Sequence, residues 1–304
     1  MSSNKITSSV KSLRKSKVPV SSEDKVPFYF HLIRTGFKGL GPLAPRTSAK
    51  IAFKLFASPR KIKSKKKPSV IMDEARLFTI SHRNRKIQCY AWGKTGPKVL
   101  LVHGWESKAA HLQNFVPPLL EMGYQVLAFD GPAHGNSEGK MTNMIDFGKV
   151  IEAIINETGK VDHIITHSFG SGATSTLLSE PDNSIAIEKL IMVTSPNKLQ
   201  DIFNNFYNLL HIPKPVQNHF EVLVEQITNR SIENYVIANR LNTARVNKTM
   251  LVHDKTDNVL PFEYSKNIFA ANPHIEYLVT EGKGHYKIIK DREVIEKVVE
   301  FIEN

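Results

Sequence analysis

The sequence predicts an α/β fold in which helices cover a mostly parallel β-sheet. Short apolar runs recur along the chain, and amphipathic helical patterns lie between them. Strands that alternate with helices are typical of α/β units, whose crossover helices pack on the sheet. The 304 residues suffice for one such domain together with an N-terminal tail.

Eight runs are predicted as strands, and the short connection between the first two predicts an antiparallel hairpin at the sheet edge. In chain order the runs are Arg76 to Ile80, Ile87 to Trp92, Val99 to Val102, Gln125 to Phe129, Val161 to Ile165, Leu190 to Val193, Thr249 to Val252 and Ile275 to Val279. Helical spacing joins the apolar residues Met144, Phe147, Ile151 and Ile154, and at the chain end Val294, Ile295, Val298 and Ile302.

A serine follows the fifth run, in the sequence THSFG at residues 166–170. A small-residue stretch from Gly170 to Leu178 predicts that a helix begins there. A serine at a sharp strand-to-helix turn is typical of a nucleophile elbow, usually written G-x-S-x-G. Thr166 replaces the first glycine; because threonine is compatible with a strand, we expect a slightly widened elbow that keeps its geometry.

A serine nucleophile needs an imidazole base and a carboxylate that orients it. Downstream, MLVHDKTDNVLP at residues 250–261 supplies Asp254 and Asp257, and LVTEGKGHY at residues 278–286 supplies His285. His274 precedes a strand and is poorly placed as a base. The order serine, acid, histidine along the chain is that of an α/β sheet carrying such a triad.

Five segments in order resemble the α/β-hydrolase family, over residues 75 to 304. They are LLVHGWES (100–107), similar to the oxyanion loop; AFDGPAHGNSEG (128–139), similar to the D-x-x-G-x-G-x-S turn; the THSFG elbow; HDKTDNVLP, similar to the acid loop G-x-x-D-x-x-V-P; and GKGH, similar to the histidine loop. The resemblance implies an eight-stranded, mostly parallel α/β-hydrolase sheet with a helical lid insertion.

The resemblance also implies the catalytic residues Ser168, Asp257 and His285. Asp257 matches the family carboxylate, whereas Asp254 occupies the glycine position and is expected to cap a turn or brace the loop. No cofactor and no metal is expected, because the sequence carries no signature for either.

Two backbone N–H groups, those of Trp105 and Phe169, are expected to form the oxyanion hole. Their bulky side chains indicate an apolar, narrowed acyl pocket, although core packing alone could explain them. His103, Gly104 and His167 are assigned to the substrate pocket and its loops.

One connection, residues 197–248, is too long for a simple crossover. Amphipathic patterns within it resemble the helical lids of the family, and the alternative is that these helices complete the core. The apolar residues are Ile202, Phe203, Phe206, Leu209 and Leu210, then Phe220, Val222, Leu223 and Ile227. Their content favours a small-molecule ester substrate with an apolar portion.

The positive charge of the chain belongs to its N-terminal part. Residues 1–70 hold 17 Lys and Arg against Glu23 and Asp24, whereas the remainder holds 24 basic and 27 acidic residues. We predict a disordered basic tail at 1–25, a basic extension with a helix at 26–70, and a hydrolase domain at 71–304. The helix, at 45–58, is predicted to dock on the hydrolase domain; the alternative is a helix held on an anionic membrane surface by its basic flank, including KIKSKKK at 61–67.

Other features limit the function classes. Cys89 is the single cysteine, so no internal disulfide can form. No apolar run is long enough to span a membrane and FYFHLI is too short for a signal peptide, so we expect a cytoplasmic protein, with peripheral contact to an anionic membrane through residues 1–70 as an open alternative. No nucleic-acid motif accompanies the charge. The leading hypothesis is a serine hydrolase that cleaves a carboxylic ester through an acyl-enzyme, with thioester and amide cleavage left open. The alternative is a catalytically weak binding or scaffold protein of the same fold that contacts an anionic surface through its basic segment.

Overall fold

The structure is a computed structural model that describes residues 28–60 and 69–304. Its strands form an eight-stranded sheet in the order β1-β2-β4-β3-β5-β6-β7-β8. The strands are β1 (Arg76–His82), β2 (Arg85–Trp92), β3 (Lys98–Val102), β4 (Gln125–Phe129), β5 (His163–His167), β6 (Ile187–Val193), β7 (Val246–Asp254) and β8 (Glu276–Thr280). β2 is antiparallel to both β1 and β4, and the remaining pairs are parallel. The predicted fold class and edge hairpin are therefore confirmed.

β5 and β7 each end two residues beyond the runs predicted for them. β5 continues to His167 because β6 offers it a partner as far as Val193, so that Ser168 directly follows the strand. β7 continues to Asp254, which pairs with Thr280 of β8. These extensions bring the elbow and the acid loop to the same edge of the sheet, where parallel strands have their carboxyl ends.

Helices flank the sheet on both faces. They are α1 (Phe28–Leu40), α2 (Pro45–Ala57), α3 (Val70–Asp73), α4 (Val116–Glu121), α5 (Met144–Thr158), α6 (Phe169–Leu178), α7 (Leu199–Leu210), α8 (Lys214–Thr228), α9 (Ile237–Arg240), α10 (Glu263–Ala271), α11 (Gly284–Lys287) and α12 (Arg292–Glu303). Short 3₁₀ helices cover Ala109–Phe115, Ile232–Asn234 and Ile288–Lys290.

The central strands are buried on both faces, which explains why they read as continuous apolar runs. Alternate residues of β3 enter different core clusters: Leu100 and Val102 pack with α5 and α6, whereas Val99 and Leu101 pack with α4 and α12. The core therefore consists of two layers with the sheet between them.

A third apolar cluster joins the N-terminal extension to the long insertion. Phe37 of α1 and Ala52 of α2 are buried with Phe203 of α7 and Phe220 of α8. We call α1, α2, α7 and α8 the cap. The helix expected at 45–58 is observed as α2, and its docked face packs on α8.

α1 was not predicted, although Phe30, Ile33 and Phe37 have the spacing of a helix face and pack in the same cluster. The predicted tail at 1–25 and the basic linker at 61–67 lie outside the described residues. In the part of the chain that is described, no helix has the length and apolar character needed to cross a membrane.

Candidate active site

Ser168 lies at a sharp turn between β5 and α6. Its backbone has φ 54° and ψ −121°, a region that residues other than glycine rarely adopt. The turn is held because the Ser168 N–H donates to the carbonyl oxygen of Val193 (2.9 Å) and its own carbonyl accepts from the N–H of Ser171 (2.9 Å). Strain kept at one residue by its surroundings is typical of functional sites.

Close packing around the elbow explains its glycines. A Cβ on Gly170 would lie 2.7 Å from the carbonyl oxygens of both Val102 and His103, which is too close for any side chain. A Cβ on Gly104 would lie 3.0 Å from the Cβ of Ser168. The loop after β3 therefore runs directly beside the serine.

Thr166, which replaces the family's glycine, is fully buried and hydrogen bonded. Its Oγ1 donates to the carbonyl oxygen of Ile191 on β6 (2.9 Å) and pairs with Oγ of Ser171 in α6 (2.8 Å). Thr166 thus links the two strands to the first turn of the helix, where a glycine would make no side-chain contact.

The structure brings Ser168, Asp257 and His285 together from three separate segments. His285 Nε2 lies 3.1 Å from Ser168 Oγ, and His285 Nδ1 lies 2.7 Å from Asp257 Oδ2. Because the carboxylate accepts the Nδ1 proton, Nε2 is left to accept the serine proton. The three residues expected from the sequence are therefore joined by hydrogen bonds in the order serine, histidine and acid.

The carboxylate of Asp257 is held as an ion. Its Oδ1 accepts hydrogen bonds from the backbone N–H groups of Val259 and Leu260, both at 2.8 Å. Burial raises the pKa of Asp257, but the bonds from His285 and from these two N–H groups outweigh burial and leave it below its ordinary value. An ionised Asp257 can stabilise a charged imidazole.

Asp254 ties the acid loop to the histidine loop. Its Oδ1 accepts from the N–H (2.9 Å) of Thr256, and its Oδ2 from Oγ1 of Thr280 (2.8 Å) and the N–H of Lys283 (2.9 Å). Burial raises the pKa of Asp254, yet these hydrogen bonds lower it well below its ordinary value. Because Lys283 is two residues before His285, Asp254 helps to position the His285 side chain.

Two further histidines brace the site. His167 Nε2 donates to the carbonyl oxygen of His285 (3.0 Å); burial, followed by the charge of His285, lowers the pKa of His167 to about 3. His253 Nε2 donates to the carbonyl oxygen of Leu260 (3.0 Å) and lies 3.6 Å from Asp257 Oδ2. His167 was assigned to the pocket loops from the sequence, whereas His253 was not assigned at all.

The loop expected to supply an oxyanion donor is shaped by two buried histidines. His103 Nδ1 donates to the carbonyl oxygen of Gly104 (2.7 Å), and its Nε2 accepts from the N–H of Gly131 (2.8 Å). The N–H of Glu106 donates to His134 Nε2 (3.0 Å). Burial lowers the pKa of His103 well below its ordinary value. His103 is therefore neutral, and its two hydrogen bonds hold the loop in place.

Trp105 and Phe169 lie side by side next to the serine. Phe169 begins α6, and the N–H groups of a first helical turn have no partner inside the helix. The Trp105 and Phe169 rings meet edge to face, with centroids 5.1 Å apart, and Phe169 also meets Phe147 at 5.3 Å. The two predicted donors thus carry side chains that form one apolar wall.

Arg60, in the N-terminal extension, forms an ion pair with Glu106 beside this wall. Arg60 Nη2 and Nε lie 2.6 Å and 2.8 Å from the two carboxylate oxygens of Glu106, which follows Trp105. Burial raises the pKa of Glu106, but the hydrogen bonds from Arg60 bring it below its ordinary value.

Within residues 28–60 and 69–304, no group of three or more His, Cys, Asp or Glu is placed to hold a metal ion.

Comparisons with known proteins agree with this architecture. A family model described as the alpha/beta hydrolase family matches residues 99–218. The uncharacterized protein YqkD of Bacillus subtilis (strain 168) is 21% identical over 220 residues, which cover 68% of this chain and 71% of that protein. Together with the eight-stranded sheet and the elbow, this match shows that the chain has the α/β-hydrolase fold.

Solved structures share the fold. The Pyrococcus furiosus esterase Pf2001 aligns with a TM-score of 0.59 and 21% sequence identity, over 81% of this chain and 98% of the esterase. The thioesterase domain from the curacin biosynthetic pathway aligns with a TM-score of 0.56 and 18% identity, over 76% of this chain and 99% of that domain. At this identity the likeness concerns the fold.

Proposed function

We propose that this protein is a serine hydrolase that cleaves a carboxylic ester through an acyl-enzyme. The observation that carries the proposal is the 3.1 Å approach of His285 Nε2 to Ser168 Oγ, with Asp257 on the other ring nitrogen. A buried base at hydrogen-bond distance is what a serine hydroxyl needs to become a nucleophile.

In the first half of the reaction, Ser168 Oγ attacks the carbonyl carbon while His285 Nε2 takes the serine proton. Negative charge develops on the carbonyl oxygen, where the N–H groups of Trp105 and Phe169 would stabilise it. Asp257 remains ionised and stabilises the imidazolium. When the carbon–oxygen bond to the leaving group breaks, His285 gives its proton to the alcohol.

In the second half, water replaces the alcohol. His285 takes a proton from water as its oxygen attacks the acyl carbon, and returns the proton to Ser168 Oγ when the carboxylic acid leaves. The braces on His285, from Asp254 through Lys283 and from His167, would hold the ring in one position through both halves. Removal of either donor from the oxyanion hole is expected to cost about 2.7–4 kcal/mol of transition-state stabilisation.

Ester and thioester cleavage both suit this arrangement, because the same nucleophile and base serve both. The names of the compared structures, an esterase and a thioesterase domain, support these two substrate classes. The aromatic wall of Trp105 and Phe169 favours an apolar acyl group. The insertion helices α7 and α8, packed with α1 and α2, would serve as the lid.

The test is turnover of short p-nitrophenyl esters, matched thioesters and anilides by purified protein. Wild-type protein should hydrolyse the esters and Ser168→Ala should not, whereas Ser231→Ala, at an exposed serine, should behave as wild type. Equal ester turnover by Ser168→Ala and wild type would refute the proposal. No turnover of any substrate by wild type would instead favour a binding protein of this fold.

A further inference from the structure

One face of α2 is committed to the cap. Its Phe56 ring lies edge to face with Phe203 (centroids 5.3 Å apart) and with Phe220 (5.7 Å), and Ala49 and Ala52 are buried beside them. These contacts fix how the helix is rotated about its axis. The opposite face is therefore held towards solvent.

That opposite face carries two parallel rows of side chains, which we call the α2 outer face. One row is Arg46, Lys50 and Lys54, and the other is Thr47, Ile51 and Leu55; all six residues are exposed. Residues four apart lie on the same side of a helix, so each row runs along the axis. Ile51 is 51% exposed and Leu55 is 39% exposed. The apolar row is therefore in contact with solvent.

The sequence of the N-terminal extension carries charge of a single sign. Residues 28–60 include six Lys and Arg and no Asp or Glu, and KIKSKKK adds five lysines at 61–67. Within the described ranges, Arg46, Lys50 and Lys54 form no ion pair with an acidic side chain. The face therefore offers unneutralised positive charge.

The turn that joins α1 to α2 adds more exposed apolar surface. Leu43 is 82% exposed and Leu40 is 64% exposed. A nucleic acid would satisfy the cations but gain nothing from exposed leucine and isoleucine side chains. An anionic lipid surface would satisfy both features, because headgroups attract the cations while apolar side chains enter the boundary between headgroups and acyl chains.

We infer that the α2 outer face, with Leu40 and Leu43, docks on an anionic lipid surface. The long stems of Arg46, Lys50 and Lys54 can lie along the apolar row while their charged ends reach the headgroups. Charge and apolar contact are both needed, since either alone gives weak, reversible attachment. The inference is independent of the proposed function, because a protein without the Ser168 hydroxyl keeps this face.

The experiment is co-sedimentation of the full-length protein with two vesicle preparations, phosphatidylcholine alone and an equimolar mixture with phosphatidylglycerol. Wild type should bind the mixed vesicles, and raising the salt concentration should weaken binding. The triple variant Arg46→Glu/Lys50→Glu/Lys54→Glu should lower the partition coefficient at least about tenfold. The double variant Ile51→Gln/Leu55→Gln should also weaken it while keeping every charge.

A matched control changes the net charge equally at exposed lysines of the hydrolase domain: Lys94→Glu/Lys248→Glu/Lys290→Glu. This control should retain most of the binding, and circular dichroism should show that all variants are folded. The inference is overturned if wild type ignores the mixed vesicles, or if the α2 charge variant binds them as well as the control does. Dimerisation that Ile51→Gln/Leu55→Gln abolishes, or DNA binding without vesicle binding, would also overturn it by assigning the face to another partner.

Discussion

Asp254 Oδ2 accepts a hydrogen bond from the backbone N–H of Lys283 at 2.9 Å, and so joins the acid loop to the histidine loop. In the family pattern a glycine stands where this chain has Asp254, and a glycine could not make the bond. The loop that carries His285 is therefore held partly by a residue that departs from the family pattern.

Replacing Asp254 should impair catalysis through the position of His285. Asp254→Gly removes all the hydrogen bonds of the carboxylate, and each bond to a charged group contributes about 1.5–3 kcal/mol. We expect kcat for ester hydrolysis to fall about tenfold or more, with a smaller change in KM, and the free energy of unfolding to decrease. Asp182→Asn, at an exposed aspartate, is the control. If Asp254→Gly kept the wild-type kcat, the link from Asp254 to the histidine loop would not be needed for catalysis.

The buried neutral histidines should make stability depend on pH. The pKa of His167 is about 3 in the folded protein against 6.5 when unperturbed, so between these values the unfolded chain binds a proton that the folded protein does not. Stability from this group is present above pH 6.5 and is lost as the pH falls towards 3. His103 acts in the same direction.

His167→Gln should therefore flatten the pH dependence. Its amide can still donate to the carbonyl of His285, but it takes up no proton. In urea unfolding between pH 6 and 4, the slope of the unfolding free energy should decrease by about 1.4 kcal/mol per pH unit relative to wild type. His274→Gln, at an exposed histidine, should leave the slope as in wild type. An unchanged slope in His167→Gln would show that His167 is protonated in the folded state.

Thr166 should stabilise the elbow through its hydroxyl. Thr166→Val keeps the shape but leaves the carbonyl of Ile191 without this donor, which should cost about 1–3 kcal/mol of unfolding free energy. Thr166→Ser retains the hydroxyl and is the matched comparison. If thermal unfolding gave the same Tm for Thr166→Val and wild type, the hydrogen bond would contribute nothing.

The ion pair between Arg60 and Glu106 should matter more for activity than for stability. Arg60 is 66% exposed, and exposed pairs contribute up to about 1 kcal/mol. Glu106 follows Trp105, however, so Arg60→Ala should loosen the loop that we propose supplies an oxyanion donor, and should lower kcat/KM several-fold with little change in Tm. Arg292→Ala removes another arginine–glutamate pair far along the chain and should leave kcat/KM unchanged. Equal kcat/KM in Arg60→Ala and wild type would show that the N-terminal extension does not affect the activity of the site.

Local patterns predicted much of this molecule. Ser168, Asp257 and His285 each follow a strand whose apolar run is legible, and parallel strands bring such residues to one edge. The other relationships depend on contacts between distant segments. Nothing in the sequence near Arg60 indicates that it meets Glu106, and nothing near His167 indicates that it lies beside His285.

The extent of β5 and β7 depended in the same way on their neighbours. Each strand extends two residues beyond its predicted end because the adjacent strand supplies hydrogen-bond partners there. α1 was missed for a different reason. Its apolar residues have helical spacing, but the helix is stabilised by packing against α7, which the local sequence does not show. Contacts with neighbouring strands and helices set where these elements begin and end, and a local sequence pattern does not reveal those contacts.

The central claim, that Ser168 is an activated nucleophile, is tested most directly by labelling with a fluorophosphonate and mapping the adduct by mass spectrometry. The account predicts one adduct per chain, on the peptide that contains Ser168, with labelling lost in Ser168→Ala and strongly slowed in His285→Ala. An adduct on another residue, or labelling of Ser168→Ala at the wild-type rate, would contradict it.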